Sequence, residues 1–276
     1  VRLAVASGKG GTGKTTVAVN LARVWNGPVQ LLDCDVEAPN AGLFLKGEQL
    51  RTETVGVPVP SVDESLCTGC GTCSAFCEFN AIACAGGTAM VFPEMCHGCG
   101  GCTLLCPEGA LTETEHRIGV VETVKAGSIT LIRGRLDVGA AMAPPLIRQV
   151  KQRASSEIPG IIDCPPGTSC PVITAVKGSD MVLLVTEPTP FGLHDLELAV
   201  ETVGELGIPF GVVLNRSGSG DLGVQKFCAS RGISLLLEIP DDRRYAEAYS
   251  RGELLADSFP GLKDLFTGLR VELEKR

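Results

Sequence analysis

Short, nearly all-apolar runs recur along the chain at 2–6, Val29–Asp33, 129–132, 160–163, 181–186, 210–214 and 235–239. Runs this brief with so little polar alternation are what strands buried on both faces require. Between them, apolar residues fall at helical spacing over 15–24, 146–154, 193–206 and 224–231. Strands alternating with helices predict an α/β fold, a mostly parallel sheet flanked by helices. The leucine-rich stripe of Leu262, Leu265, Phe266, Leu269 and Leu273 predicts a last helix packed on that sheet.

The rhythm breaks over 61–116, which is rich in Cys and Gly and repeats internally. Cys67 maps on Cys96, and Ala81-Ile82 maps on Ala110-Leu111. We read this stretch as a small inserted α+β domain with two-fold pseudo-symmetry. It is bounded by Pro58-Val-Pro60 and by Arg117, so that 1–60 and 117–276 form one discontinuous domain.

Charge sharpens the contrast. The 276 residues carry a net charge of −8, and 61–116 holds seven acidic residues without a single Lys or Arg. Phosphate contacts need clustered Lys and Arg, so nucleic acid is not an expected partner. A client protein with a basic docking surface fits better. No apolar run approaches the ~20 residues of a membrane span, and 2–6 is too short for a signal peptide. The balanced charges of 262–276 also make a membrane-binding tail unexpected. Thirteen cysteines in tight triplets beside a nucleotide loop point to thiolate ligands in a reducing compartment, hence the cytoplasm.

That loop is Ser7-Gly-Lys-Gly-Gly-Thr-Gly-Lys-Thr-Thr16, which satisfies Gly-x4-Gly-Lys-Thr between a strand and a helix. Gly8, Gly10, Gly11, Thr12 and Gly13 let backbone N–H groups curl round phosphates. Lys14 is placed for the β and γ oxygens, and Thr15, followed by Thr16, presents a hydroxyl to Mg2+. A carboxylate ending a buried strand, Asp163, is suited to holding the same Mg2+, and the cofactor expected is ATP with Mg2+.

The additional Lys9 makes the loop resemble the deviant Walker motif of the MinD/ParA superfamily of P-loop ATPases. The resemblance implies that Lys9 reaches the nucleotide of a second copy in an ATP-dependent homodimer. Leu32-Asp33-Cys34-Asp35 is similar to the family's switch I, which implies that Asp35 orients the attacking water. Ile162 to Thr168 is similar to its Walker B and switch II, with Gly167 bringing a backbone N–H to the γ-phosphate. Asn215 and Pro240 match adenine-contacting positions, although an Asn at a strand end is also an ordinary turn former.

The runs Cys67-x2-Cys70-x2-Cys73-x3-Cys77 and Cys96-x2-Cys99-x2-Cys102-x3-Cys106 resemble bacterial two-cluster ferredoxins. The resemblance implies two [4Fe-4S] clusters with a crossed fourth ligand. Cluster I would take Cys67, Cys70, Cys73 and Cys106, and cluster II Cys96, Cys99, Cys102 and Cys77. Glu78 departs from the Pro expected after Cys77, whereas Pro107 keeps it; zinc is the competing use of such cysteines. Cys34, Cys164 and Cys170 read as small buried hydrophobes, Cys84 and Cys228 lack partner spacing, and His97, His116 and His194 read as structural or solvated.

As a whole the chain resembles a MinD/ParA/Mrp-type ATPase containing a ferredoxin domain. That implies ATP hydrolysis coupled either to electron transfer or to maturation of iron-sulfur and other metallocofactor proteins. A partitioning ATPase with redox-sensing clusters is the alternative from another class.

Overall fold

The computed structural model describes residues 1–140 and 142–275. In chain order its elements are β1 (Arg2–Ala6), α1 (Lys14–Arg23), β2 (Val29–Asp33), β3 (Glu48–Val62), α2 (Thr72–Phe76), β4 (Ile82–Ala85), β5 (Thr88–Val91) and α3 (Gly101–Leu105). There follow β6 (Leu111–Ala126), β7 (Ile129–Leu136), α4 (Ala143–Gln152), β8 (Gly160–Asp163), α5 (Cys170–Val176), β9 (Met181–Thr186) and α6 (Pro190–Glu205). The chain ends with β10 (Phe210–Ser217), α7 (Gly223–Arg231), β11 (Leu235–Pro240), α8 (Arg243–Ser250), α9 (Leu255–Ser258) and α10 (Pro260–Leu273).

Every apolar run becomes a strand. They assemble in the order β11-β10-β9-β1-β8-β2-β7-β6-β3, and the pairings from β11 across to β7 are parallel. The burial is what the missing alternation required: β2, β8 and β9 are buried at every position. One face packs on α1 and α10, where Phe266 is completely buried together with Leu262, Leu269 and Leu273. Leu265, counted in the same stripe from the sequence, faces solvent instead.

Two long strands were not anticipated. β3 is an edge strand whose first half is exposed, and β6 opens on the polar run Thr112-Glu-Thr-Glu-His116. Neither shows an apolar run over its full length. Pro58 and Pro60, taken from the sequence as a boundary, lie inside β3, where an edge strand tolerates residues that cannot donate to a ladder.

The chain divides into two compact units. One comprises Val1–Thr52, Val121–Arg135 and Ile147–Arg276; the other comprises Glu53–Val120 and Leu136–Leu146. The second has its own small core of Cys73, Ile82, Ala89 and Leu111, with β4 and β5 paired antiparallel. Its internal repeat is structural. α2 and α3 each follow a glycine in the left-handed region, Gly71 at φ 81° and Gly100 at φ 71°. The N–H groups of Ala81 and Ala110 each donate to the Sγ of the preceding fourth cysteine, Cys77 and Cys106, at 3.3 Å.

Candidate nucleotide site and the two cysteine cavities

Parallel strands present their carboxyl ends on one edge, where α/β proteins place ligands. The loop after β1 turns at Gly13, whose φ of 100° opens α1 at Lys14. A side chain at Gly13 is excluded twice, since a Cβ there would also stand 2.3 Å from the Asn215 amide. That amide Nδ2 donates to the Thr12 carbonyl at 2.9 Å, so β10 braces the loop. The N–H of Gly167, at φ 94°, donates to the Ser7 carbonyl at 3.0 Å, and a Cβ on Gly8 would collide with the Asp195 carbonyl.

Thr15 Oγ1 donates to Asp163 Oδ2 at 2.6 Å. The other oxygen, Asp163 Oδ1, is buried and has no protein partner, as is Thr12 Oγ1. A hydroxyl and a carboxylate already in contact, with one orphaned oxygen, fit the inner edge of a Mg2+ site. Burial pushes the Asp163 carboxyl up to about 7. Its neighbour Asp33, paired with it across β2 and β8, is also pushed well up by burial and by the charge of Asp163. Burial lowers the Lys14 ammonium, against the pull of Asp163 and Asp35, and burial raises Asp35 against the pull of Lys14. Acidic groups and an amine held this way are poised for a ligand that brings its own charges.

Above this floor lies a cavity of about 330 Å³. Gly10, Gly11, Gly13, Lys14, Thr15 and Thr16 form one wall, Asp35 borders it, and the rest includes Asn215, Pro240, Tyr245 and Tyr249 together with Arg216, Asp241 and Asp242. A phosphate cradle running into apolar and aromatic side chains is the division a nucleotide needs. Lys9 points elsewhere. Its ammonium is bonded to Glu187, just past β9, and Glu187 Oε2 also accepts from Arg216 at 3.0 Å.

Asp33, Glu187 and Tyr249 were not given roles from the sequence. Asp33 accepts from the N–H groups of Ala41 and Asp35 at 3.0 and 3.3 Å, and so shapes the turn that carries Asp35. A usable signal existed for the first two, since both sit at the carboxyl end of a predicted parallel strand. Cys34 and Cys164 are fully buried, as expected of small hydrophobes, and burial raises both thiols well above the ordinary range. Cys170 corrects that expectation: it is exposed, because it opens α5 rather than continuing the buried β8.

In the second unit the eight ferredoxin-pattern cysteines surround two separate cavities. One is lined by Cys67, Cys70, Cys73 and Cys106, and also by Cys84, around a narrow recess of about 20 Å³. The other is lined by Cys77, Cys96, Cys99 and Cys102 and measures about 170 Å³. Each cavity thus takes its fourth cysteine from the other half of the repeat. Among the described residues no three His, Cys, Asp or Glu side chains converge as one metal ion would require. A cuboidal cluster asks for a different arrangement, one thiolate per iron around a central volume. Local dipoles favour thiolate at two positions: the Gly69 N–H holds Cys67 below its ordinary range, and the Thr72 hydroxyl does so for Cys70. Burial pushes Cys73 up to about 11 and also raises Cys102. His97 stacks on Phe79 at 3.5 Å between ring centres, beside the second cavity.

Comparison with known proteins agrees with the nucleotide edge. The family described as the CobQ/CobB/MinD/ParA nucleotide binding domain matches residues 3–255. The uncharacterized protein MJ0579 of Methanocaldococcus jannaschii is 33% identical over 257 residues, covering 91% of this chain and 90% of its own. An iron-sulfur cluster carrier protein of Pyrococcus horikoshii is 26% identical over 274 residues, covering 91% of this chain and 77% of its own. Among solved structures, the septum site-determining protein MinD of Pyrococcus horikoshii, complexed with Mg-ADP, superposes with a TM-score of 0.62 at 20% identity, covering 99% and 96% of the two chains.

Proposed function

Because the chain belongs to the CobQ/CobB/MinD/ParA nucleotide-binding family and is a P-loop ATPase of the MinD/ParA type, we propose that its ATP cycle governs two [4Fe-4S] clusters held in the second unit. The observation that carries this reading is the sorting of eight cysteines into two cavities, each with the crossed set of four. Resident clusters of that kind exchange single electrons, so ATP-gated electron delivery to a partner is the function supported best. The carrier name of a 26% identical relative supports a second reading, ATP-driven maturation of an iron-sulfur protein.

In the ATPase cycle the backbone of Gly10 to Gly13 and the start of α1 would hold phosphate oxygens, and Lys14 would supply positive charge where it develops. Thr15 and Asp163 are the residues that would hold Mg2+, which supplies further neutralisation of the phosphates. Asp35, on the turn fixed by Asp33, would orient water. Asn215 and Pro240 would border the base. Lys9 is assigned to the nucleotide of a second copy, so ATP-dependent homodimerisation must first part it from Glu187. The seven acidic residues of 61–116 fit a client with a basic docking surface, and thiolate ligation fits the reducing cytoplasm. Among the described residues no helix is long and apolar enough to cross a membrane.

Anaerobic transfer of electrons from the dithionite-reduced protein to a basic haem protein tests the preferred reading. Delivery should accelerate on addition of Mg·ATP, and Lys14→Ala should remove the acceleration while leaving the nucleotide-free rate. Equal rates with and without ATP in the wild type, with hydrolysis confirmed, would contradict it.

A further inference from the structure

The cavity of the first cysteine set has one thiol more than a cluster needs. Cys84 is half-buried on β4, lines the same recess as Cys67, Cys70, Cys73 and Cys106, and places its Sγ 4.0 Å from that of Cys73. The second cavity is lined by four cysteines only. The internal repeat shows that the fold does not demand a thiol here. The register that maps Cys67 on Cys96 and Ala81 on Ala110 maps Cys84 on Glu113. Glu113 carries its carboxylate toward Gly100, on the ligand loop of the second half. At this position the second half of the repeat therefore carries a carboxylate where the first carries a thiol. Cys84 packs, partly buried, against the unit's core, which includes Ile82 two residues before it on the same face of β4.

We propose that Cys84 is a reserve ligand of cluster I, positioned to replace Cys73; the inference rests on the reading that this cavity holds a [4Fe-4S] cluster. The Cys84 sulfur stands 4.0 Å from the ligating sulfur and its side chain lines the same recess, so it borders the corner of the cavity that Cys73 serves. The exchange is redox-neutral. One iron–sulfur bond to Cys73 is replaced by one to Cys84, and the Cys84 thiol proton passes to the departing Cys73 thiolate or, where Cys73 is absent, to solvent. The Sγ of Cys70 instead neighbours the Thr72 hydroxyl, at 3.4 Å.

The test is iron and acid-labile sulfide per chain, with the visible and EPR spectra, on anaerobically reconstituted full-length protein. The wild type and Cys84→Ala should each hold roughly eight irons, two clusters of four. Cys73→Ala should also hold roughly eight, with an altered EPR signal, whereas Cys73→Ala/Cys84→Ala and Cys70→Ala should fall to about four. Cluster II, retained in the last two, reports that the unit has folded; if Ala at 73 costs both clusters, Cys73→Val with and without Cys84→Ala is read in the same way. Loss of cluster I from the Cys73 single variant to the level of the double would overturn the inference, and so would its retention in Cys70→Ala. A wild type without four-iron clusters would instead overturn the cluster reading itself.

Discussion

At the scale of single residues, Asp163 and Lys14, to which the proposed ATPase cycle gives its metal and charge-stabilising roles, are both held away from their ordinary ionisation by burial. The folded Asp163 titrates near 7 against an ordinary 3.8, so the folded chain keeps a proton that the unfolded chain has released across that interval. Asp163 therefore favours folding most below pH 4 and opposes it increasingly up to about pH 7. Mg·ADP binding at about pH 6.5 should release a proton fraction approaching one per chain. Calorimetry in buffers of different ionisation enthalpy measures it, and Asp163→Asn should abolish it. Lys14→Ala should reduce the turnover number by about 10²–10³-fold, as loss of a charge-stabilising group does, measured as phosphate release. Glu187→Gln frees Lys9 from its bond within the chain and should raise turnover several-fold in the same assay. Adding Lys9→Ala should remove that gain; an unchanged rate in Glu187→Gln would show that the bond does not restrain Lys9.

At the scale of elements, burial decided what could be read in advance. β1, β2, β8 and β9 were legible because a strand covered on both faces has to be apolar throughout. β3 and β6 were not, since their exposed halves carry ordinary polar residues and β3 bears two prolines at the sheet edge. The phosphate loop and Thr15 were legible because their chemistry imposes fixed spacing, and Asp163 because it ends an apolar run; the crossed cysteine sets came from the resemblance to ferredoxins, and the cysteines line the two cavities in those groups. The place of Glu187 at the end of a predicted strand was legible but its partner Lys9, 178 residues away, was not, and the proximity of Cys84 to Cys73 appears only in the folded chain. α10 shows how element and packing depend on each other. Phe266 is completely buried against the sheet while Leu265 beside it is exposed. Phe266→Ala should destabilise by about 3–5 kcal/mol in urea unfolding, whereas Leu265→Ala should stay within about 0.5 kcal/mol.

For the whole molecule, the proposed function requires one chain to link a nucleotide equilibrium to a redox equilibrium. Neither half of that statement requires the other: MinD, whose fold this chain shares, is solved with Mg-ADP, and a cysteine cavity can hold a cluster without ATP. Linkage adds a condition that can be measured. If ATP binds one redox state more tightly, reduction must change ATP affinity by the same factor, and a tenfold factor corresponds to about 59 mV for a one-electron couple. The most direct measurement is an anaerobic EPR titration of the cluster midpoint potentials on Asp35→Ala, in which hydrolysis should be slow. It is made without nucleotide, with Mg·ADP and with Mg·ATP. A shift of about 59 mV or more is expected between the ADP-bound and ATP-bound forms. Identical potentials in all three, with nucleotide binding confirmed on the same samples, would contradict it.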